Sequence, residues 1–293
     1  MTKKILVLTT CFVLIGNHLS FSAEPTQKSE EAKAAGEKKG FGISIAPSVF
    51  RLTGKPGQSQ NATVRVSNNS ASPSQVLTEI SDVANRVDEQ GKLVRQFPPA
   101  GTTPFSCAQW TLLRDNDFTL EPGKSRDVTF ITSPPADSAG GFICVVFFRG
   151  IPQAAPPQPG ETAQAQATIQ IQPRLGAMVF YEIEGTVKRT SELLDLTSEP
   201  PVGNAPLKIR YKFKNTGNTD VLVSGTFYIL DANKVLMGKG DLKPIRMFPG
   251  DQGNTETEWP STLSPGKYQL VISFELGPDA REVIVKELEL SIP

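Results

Sequence analysis

Histidine is almost missing. The only one in 293 residues is His18, and it lies in a stretch that reads as a leader removed on export. The mature chain then holds no imidazole, which excludes Ser–His and Cys–His nucleophile pairs and every histidine metal site. Carboxylate chemistry is not excluded by it. An excess of charge of one sign is missing too: 30 Lys plus Arg face 30 Asp plus Glu. No net basic field draws nucleic acid or an anionic lipid surface, so neither is an expected partner. Long apolar runs are also absent. Ile5 to Gly16 falls short of the ~20 residues a spanning helix needs, and no later stretch does better, so no integral membrane span is expected. Cysteine is scarce, with three in all, Cys11, Cys107 and Cys144.

What is there begins with that leader. Lys3 and Lys4 precede the apolar run, and Ser20-Phe21-Ser22 places small residues where a signal peptidase cuts. Residues 1–23 are therefore predicted to be a cleaved signal peptide. A membrane anchor is the alternative. A lipoprotein at Cys11 is another, although Cys11 lies inside the apolar run rather than at its end. Cleavage leaves Cys107 and Cys144 in a compartment where disulfides persist, and they are predicted to be bridged; the alternative is two buried thiols on different faces. Residues 24–40, mostly Lys, Glu, Ala and Gly without an apolar face, read as a flexible tail.

From Phe41 onward the pattern is that of short strands. The 24 Gly and 24 Pro punctuate brief apolar runs, as an all-β chain with many turns requires. Ile43 and Ile45, then Val49 and Leu52, flank Pro47, which predicts an edge strand with a break. Ala62-Thr-Val-Arg-Val66 alternates with period two and ends at Asn68-Asn69-Ser70; Val76 to Val83 alternates again. Asp127 to Ile131 follows the Pro122-Gly123 turn. Gly141-Phe-Ile-Cys-Val-Val-Phe-Phe148 does not alternate, and its β-branched and aromatic content predicts a central strand buried on both faces. Residues 152–166 read as a loop, after which Ala167, Ile169 and Ile171 alternate with polar residues.

The second half follows the same plan. Leu207, Ile209, Tyr211 and Phe213 alternate with Lys208, Arg210, Lys212 and Lys214, and the segment ends in Asn215 as the earlier one ends in Asn68. Pro249-Gly250 precedes a Thr-rich strand, as Pro122-Gly123 does. This shared order predicts two tandem immunoglobulin-like β-sandwich domains, at 41–183 and 184–293, with about seven strands each.

Several segments of the first half together resemble the N-terminal domain of periplasmic pilus chaperones of the chaperone–usher pathway. They are Ile45-Ala-Pro47, Thr63-Val-Arg-Val-Ser-Asn68, Trp110-Thr-Leu with Phe118-Thr-Leu-Glu-Pro-Gly123, Phe147-Phe-Arg-Gly-Ile-Pro152 and Thr168-Ile-Gln-Ile-Gln before Val179-Phe-Tyr181. The second domain, with Asn215-Thr-Gly-Asn218, looks more like a generic bacterial immunoglobulin-like envelope domain. The resemblance implies a periplasmic or secreted, non-enzymatic protein that lends the last strand of its first domain to an unfinished protein subunit, by strand addition. Ala167, Ile169 and Ile171 stand at the lending positions; the same alternation also suits burial in the chain's own core. The resemblance further implies basic residues in the cleft between domains that hold the subunit's terminal carboxylate. Arg51 and Arg174 are the nearest candidates, and both equally suit solvated surface charges. A structural or adhesive envelope protein with immunoglobulin-like spacers is the alternative function.

The remaining motifs carry no chemistry. Ser264-Pro-Gly-Lys267 has the spacing of an acyl-enzyme serine and lysine but sits in a Pro-Gly turn without that family's other motifs. Asp231-Ala-Asn233 reads as a hairpin turn rather than a calcium loop. No cofactor and no metal are expected, and Trp110 and Trp259 are assigned to packing.

Overall fold

Among the described residues, the segments that alternate at period two are strands. The structure is a computed structural model that describes residues 42–153, 172–201, 203, 205–260, 263–277 and 283–292. The leader, the tail and the positions Ala167, Ile169 and Ile171 lie outside the described residues. Among the described residues the regular elements are strands, apart from one 3-10 turn at Ala108–Trp110.

The first sandwich contains β1 (Ile43–Ala46), β2 (Val49–Gly54), β3 (Gln60–Asn68), β4 (Ser74–Asp82), β5 (Ala84–Val87), β6 (Leu93–Gln96), β7 (Thr111–Leu113), β8 (Asp117–Leu120), β9 (Ser125–Thr132), β10 (Gly141–Pro152) and β11 (Arg174–Ile183). One sheet runs β1-β3-β9-β7, the other β2-β11-β10-β4-β8, and β5-β6 forms a separate hairpin. Pro47 is the reason that the first strand serves both sheets. It has no N–H to give to a ladder, so the chain breaks there. Before it, β1 pairs antiparallel with β3; after it, β2 pairs parallel with β11. Val64, Val66, Val128 and Phe130 from one sheet meet Val76, Val146, Phe148 and Val179 from the other in the core. Cys107 and Cys144 are joined there as a disulfide that ties the segment before β7 to the centre of β10.

The second sandwich contains β12 (Ser191–Glu199), β13 (Leu207–Asn215), β14 (Val221–Leu230), β15 (Leu236–Asp241), β16 (Ile245–Met247), β17 (Gln252–Trp259), β18 (Gly266–Leu276) and β19 (Val283–Ile292). Its sheets run β12-β13-β17 and β15-β14-β18-β19, with β16 also on β14. Leu207, Ile209, Tyr211 and Phe213 are all buried against Phe227, Ile229, Ile272 and Phe274. The intervening cations face outward, where Arg210 pairs with Glu199 and Glu256, and Lys208 with Glu256 and Glu258. The two sandwiches belong to one compact unit, Lys39–Pro293.

The disulfide closes 37 residues of chain, a restriction of the unfolded state that stabilises by roughly 4 kcal/mol. Replacing both Cys107 and Cys144 by Ala is expected to lower urea-unfolding stability by about that amount. Two titratable free thiols in the purified, unreduced protein would contradict the bridge.

Candidate functional site

Strand β10 has two apolar faces. One carries Cys144, Val146 and Phe148 into the sandwich core. The other carries Ile143, Val145 and Phe147, which join Phe180 of β11, Val83 and Phe248 in a second cluster. Phe248 comes from the second sandwich, immediately after β16, and is fully buried. Its ring packs beside Phe105 (centroids 5.6 Å apart) and beneath the guanidinium of Arg95 at 4.4 Å. The sandwiches therefore meet through an apolar contact on the outer face of a central sheet.

The loop that carries Phe105 is fixed by one buried carboxylate. Asp82 accepts hydrogen bonds from Gly101 N (3.1 Å), Thr103 N (2.7 Å), Thr103 Oγ1 (3.1 Å) and Ser106 Oγ. Polar contacts complete the junction. Gly141 N donates to Asn218 O at 2.8 Å. Any side chain at Gly141 would run into Thr219, so the close approach of the two backbones requires glycine. Asn85 Nδ2 donates to Asp251 Oδ2 at 2.5 Å. Burial pushes the Asp251 carboxyl above the usual carboxylate range, opposed by the Phe248 N–H and Asn85.

The charged part of the junction centres on Asp220, only 3% exposed. Arg51 of β2 reaches it with both terminal nitrogens, at 3.3 and 3.5 Å, and Arg246 of β16 binds it from the second sandwich. Both guanidiniums lie over the Phe180 ring, at 4.4 and 5.2 Å. Arg51 also approaches Glu182 (3.9 Å), which pairs with Arg189. Beside them is a pocket of about 510 Å³ lined by Arg51, Arg246, Leu222, Ser224, Glu275 and Val283, with Gly277.

Arg51 lies at the junction and already holds a carboxylate. Arg174 is elsewhere. It pairs with Glu79 of β4 and covers the Phe147 ring at 3.5 Å. Phe180, the residue opposite Arg51, is six positions along β11 from Arg174, about 20 Å at the rise of a strand. The structure does not bring the two arginines together on one anion. Arg246, Asp220 and Phe248 were not singled out from sequence. They meet Arg51 and Phe105 across more than a hundred residues of chain, and nothing local marks them.

Among the described residues, the edge of β11 away from β10 is unpaired over its first residues. Strand β2 pairs with β11 from Met178 onward. Over Arg174–Ala177, β11 is paired with β10 on one side, and among the described residues no strand pairs with it on the other. Among the described residues no helix is long and apolar enough to cross a membrane.

No family model matches the chain, and no curated protein matches it in sequence. Solved structures similar to it include the class 5 fimbriae chaperone CfaA, at 12% identity and a TM-score of 0.43 over 86% of this chain and 99% of that one. Another is the periplasmic chaperone SfaE, at 12% identity and a TM-score of 0.39 over 86% and 100%. A third is the chaperone–tip adhesion subunit pre-assembly complex CsuC–CsuE of Acinetobacter baumannii, at 8% identity and a TM-score of 0.43 over 84% and 97%. By its own strands the protein is a pair of immunoglobulin-like sandwiches.

Removing the shared carboxylate leaves two cations facing each other. Asp220→Ala is expected to destabilise the chain by about 2 kcal/mol, less than for a fully buried pair because both arginines are partly exposed. Urea unfolding at neutral pH measures this; unchanged or increased stability would contradict the role of Asp220.

Proposed function

We propose that this protein is an exported, non-enzymatic, chaperone-like protein that binds an incomplete partner polypeptide by strand addition. The observation that carries the reading is the open edge of β11 at Arg174–Ala177, which continues directly from Ala167, Ile169 and Ile171 in the chain. An exposed edge offers unpaired backbone donors and acceptors, and alternate apolar side chains supply the specificity of pairing. A partner lacking one strand would take Ala167, Ile169 and Ile171 into its groove. Arg174, beside that segment, would meet the partner's backbone or an acidic side chain. Arg51 would offer its guanidinium to a terminal carboxylate in the 510 Å³ pocket, in exchange for part of its contact with Asp220. Export through residues 1–23 places this activity outside the cytoplasm.

The test uses a recombinant immunoglobulin-like domain that lacks one edge strand, mixed with the mature chain. The expected result is a stable one-to-one complex that a peptide of the missing strand displaces. Ile169→Asp combined with Ile171→Asp is expected to weaken the complex at least a hundredfold with thermal unfolding of the free chain unchanged, and Arg174→Glu about tenfold with a small loss of stability from the carboxylate set beside Glu79. Capture that survives both sets of changes would remove the strand-donor reading in favour of an envelope spacer.

A further inference from the structure

A second pocket at the junction shares Arg246 with the one beside Arg51. It occupies about 230 Å³, and its charged lining is entirely cationic: Lys92 and Arg95 from the β5–β6 hairpin, Lys243 and Arg246 from the second sandwich. No Asp or Glu lines it. In a chain with equal numbers of acidic and basic residues, this is a local concentration of one sign. Such a concave cluster focuses the field and attracts counter-ions.

Asp220 and Asp251 stand nearby and are committed elsewhere, while Lys92 and Lys243 also border a neighbouring pocket with Asp241, Glu256 and Glu258, of which Glu256 and Glu258 pair with Lys208. Asp220 holds Arg51 and Arg246. Asp251 accepts from Phe248 N at 2.7 Å and from Asn85. Lys92 and Lys243 are exposed and make no ion pair among the described residues. Arg95 lies on the Phe248 ring, and burial followed by the charge of Arg246 pushes its guanidinium below the usual range, against the pull of Asp251 and Asp220. The pocket thus gathers four cations around a space with no anion of its own.

The volume and the donors define what would fit. Pockets for drug-sized ligands run to about 300–1,000 Å³, so this one suits a smaller species. Arginine forks grip two oxygens at once, and lysine supplies a point charge from any direction. Asn254 and Thr255 add polar side chains to the wall. We propose that this pocket binds a small, multiply charged oxyanion of the phosphate class, and that the bound anion clamps the β5–β6 hairpin of the first sandwich onto the second. A singly charged carboxylate would neutralise only one of the four cations. The inference is independent of strand donation, since none of its residues belongs to β11 or to the segment before it.

Isothermal titration calorimetry on the mature chain, at constant ionic strength, tests this with inorganic pyrophosphate, inorganic phosphate and glycerol phosphate. Saturable binding of a phosphate species is expected, and the tighter of phosphate and glycerol phosphate identifies a free or an ester-borne group. The double variant Lys92→Ala/Lys243→Ala is expected to bind at least tenfold more weakly. Both side chains are exposed, so its thermal unfolding without ligand should match the parent; should it not, Lys92→Gln and Lys243→Gln, each about threefold weaker, serve instead. Lys124→Ala, a change of the same charge in a distant turn, is expected to leave affinity unchanged. No heat with any phosphate species, equal loss in the Lys124 variant, or tighter binding of a hexaglutamate peptide than of pyrophosphate would overturn the proposal.

Discussion

Burial of β10 on both faces is the constraint on which the rest of the structure depends. A strand in a two-layer sandwich ordinarily presents one face to the core and the other to water. Here the outer face carries Ile143, Val145 and Phe147, whose exposure would cost free energy in proportion to their apolar area. Phe105 covers them from the loop after β6, and Phe248 covers them from the second sandwich. The loop needs Asp82 to hold its shape, and the approach of the second sandwich needs glycine at Gly141. The junction is an extension of a hydrophobic core and only secondarily a set of salt bridges.

That arrangement also explains where the charges are. An apolar contact joins the two sandwiches, and the polar rim around it must satisfy itself in a confined space. Asp220 is shared by Arg51 and Arg246, and Arg95 is left over an aromatic ring. The rim leaves two pockets that share Arg246, one lined by both signs of charge and one whose charged lining is cationic. The open edge of β11 lies away from both. Its existence follows from Pro47 and the residues after it, because β2 reaches β11 only from Met178 onward.

Much of the fold was legible in sequence because alternation reports burial directly. Leu207 to Phe213, the break at Pro47, the continuous run of β10 and the cysteine pair all became what their residue types required. Strands β12 and β15 were not legible. Both are edge strands, and β12 has no buried residue to set a period. Strand β15 contains Gly238 and Gly240, which carry little strand propensity. They are glycine because Trp259 and Phe227 occupy the space a side chain would take, a reason visible only once the sheets are stacked. Trp110 falls in the 3-10 turn just before β7. The site was less legible than the fold. Arg51 could be named, but its carboxylate lies 169 residues away, and a convergence of that kind has no local signature.

The central claim is that the two sandwiches fold as one body because the outer face of β10 is sealed by Phe248. Differential scanning calorimetry of residues 24–293 and of their Phe248→Ala variant tests it most directly. The account predicts one cooperative transition for the parent, with matching calorimetric and van't Hoff enthalpies, and two separated transitions once the ring is removed. Two transitions in the parent, or a single undivided one in the variant, would contradict it.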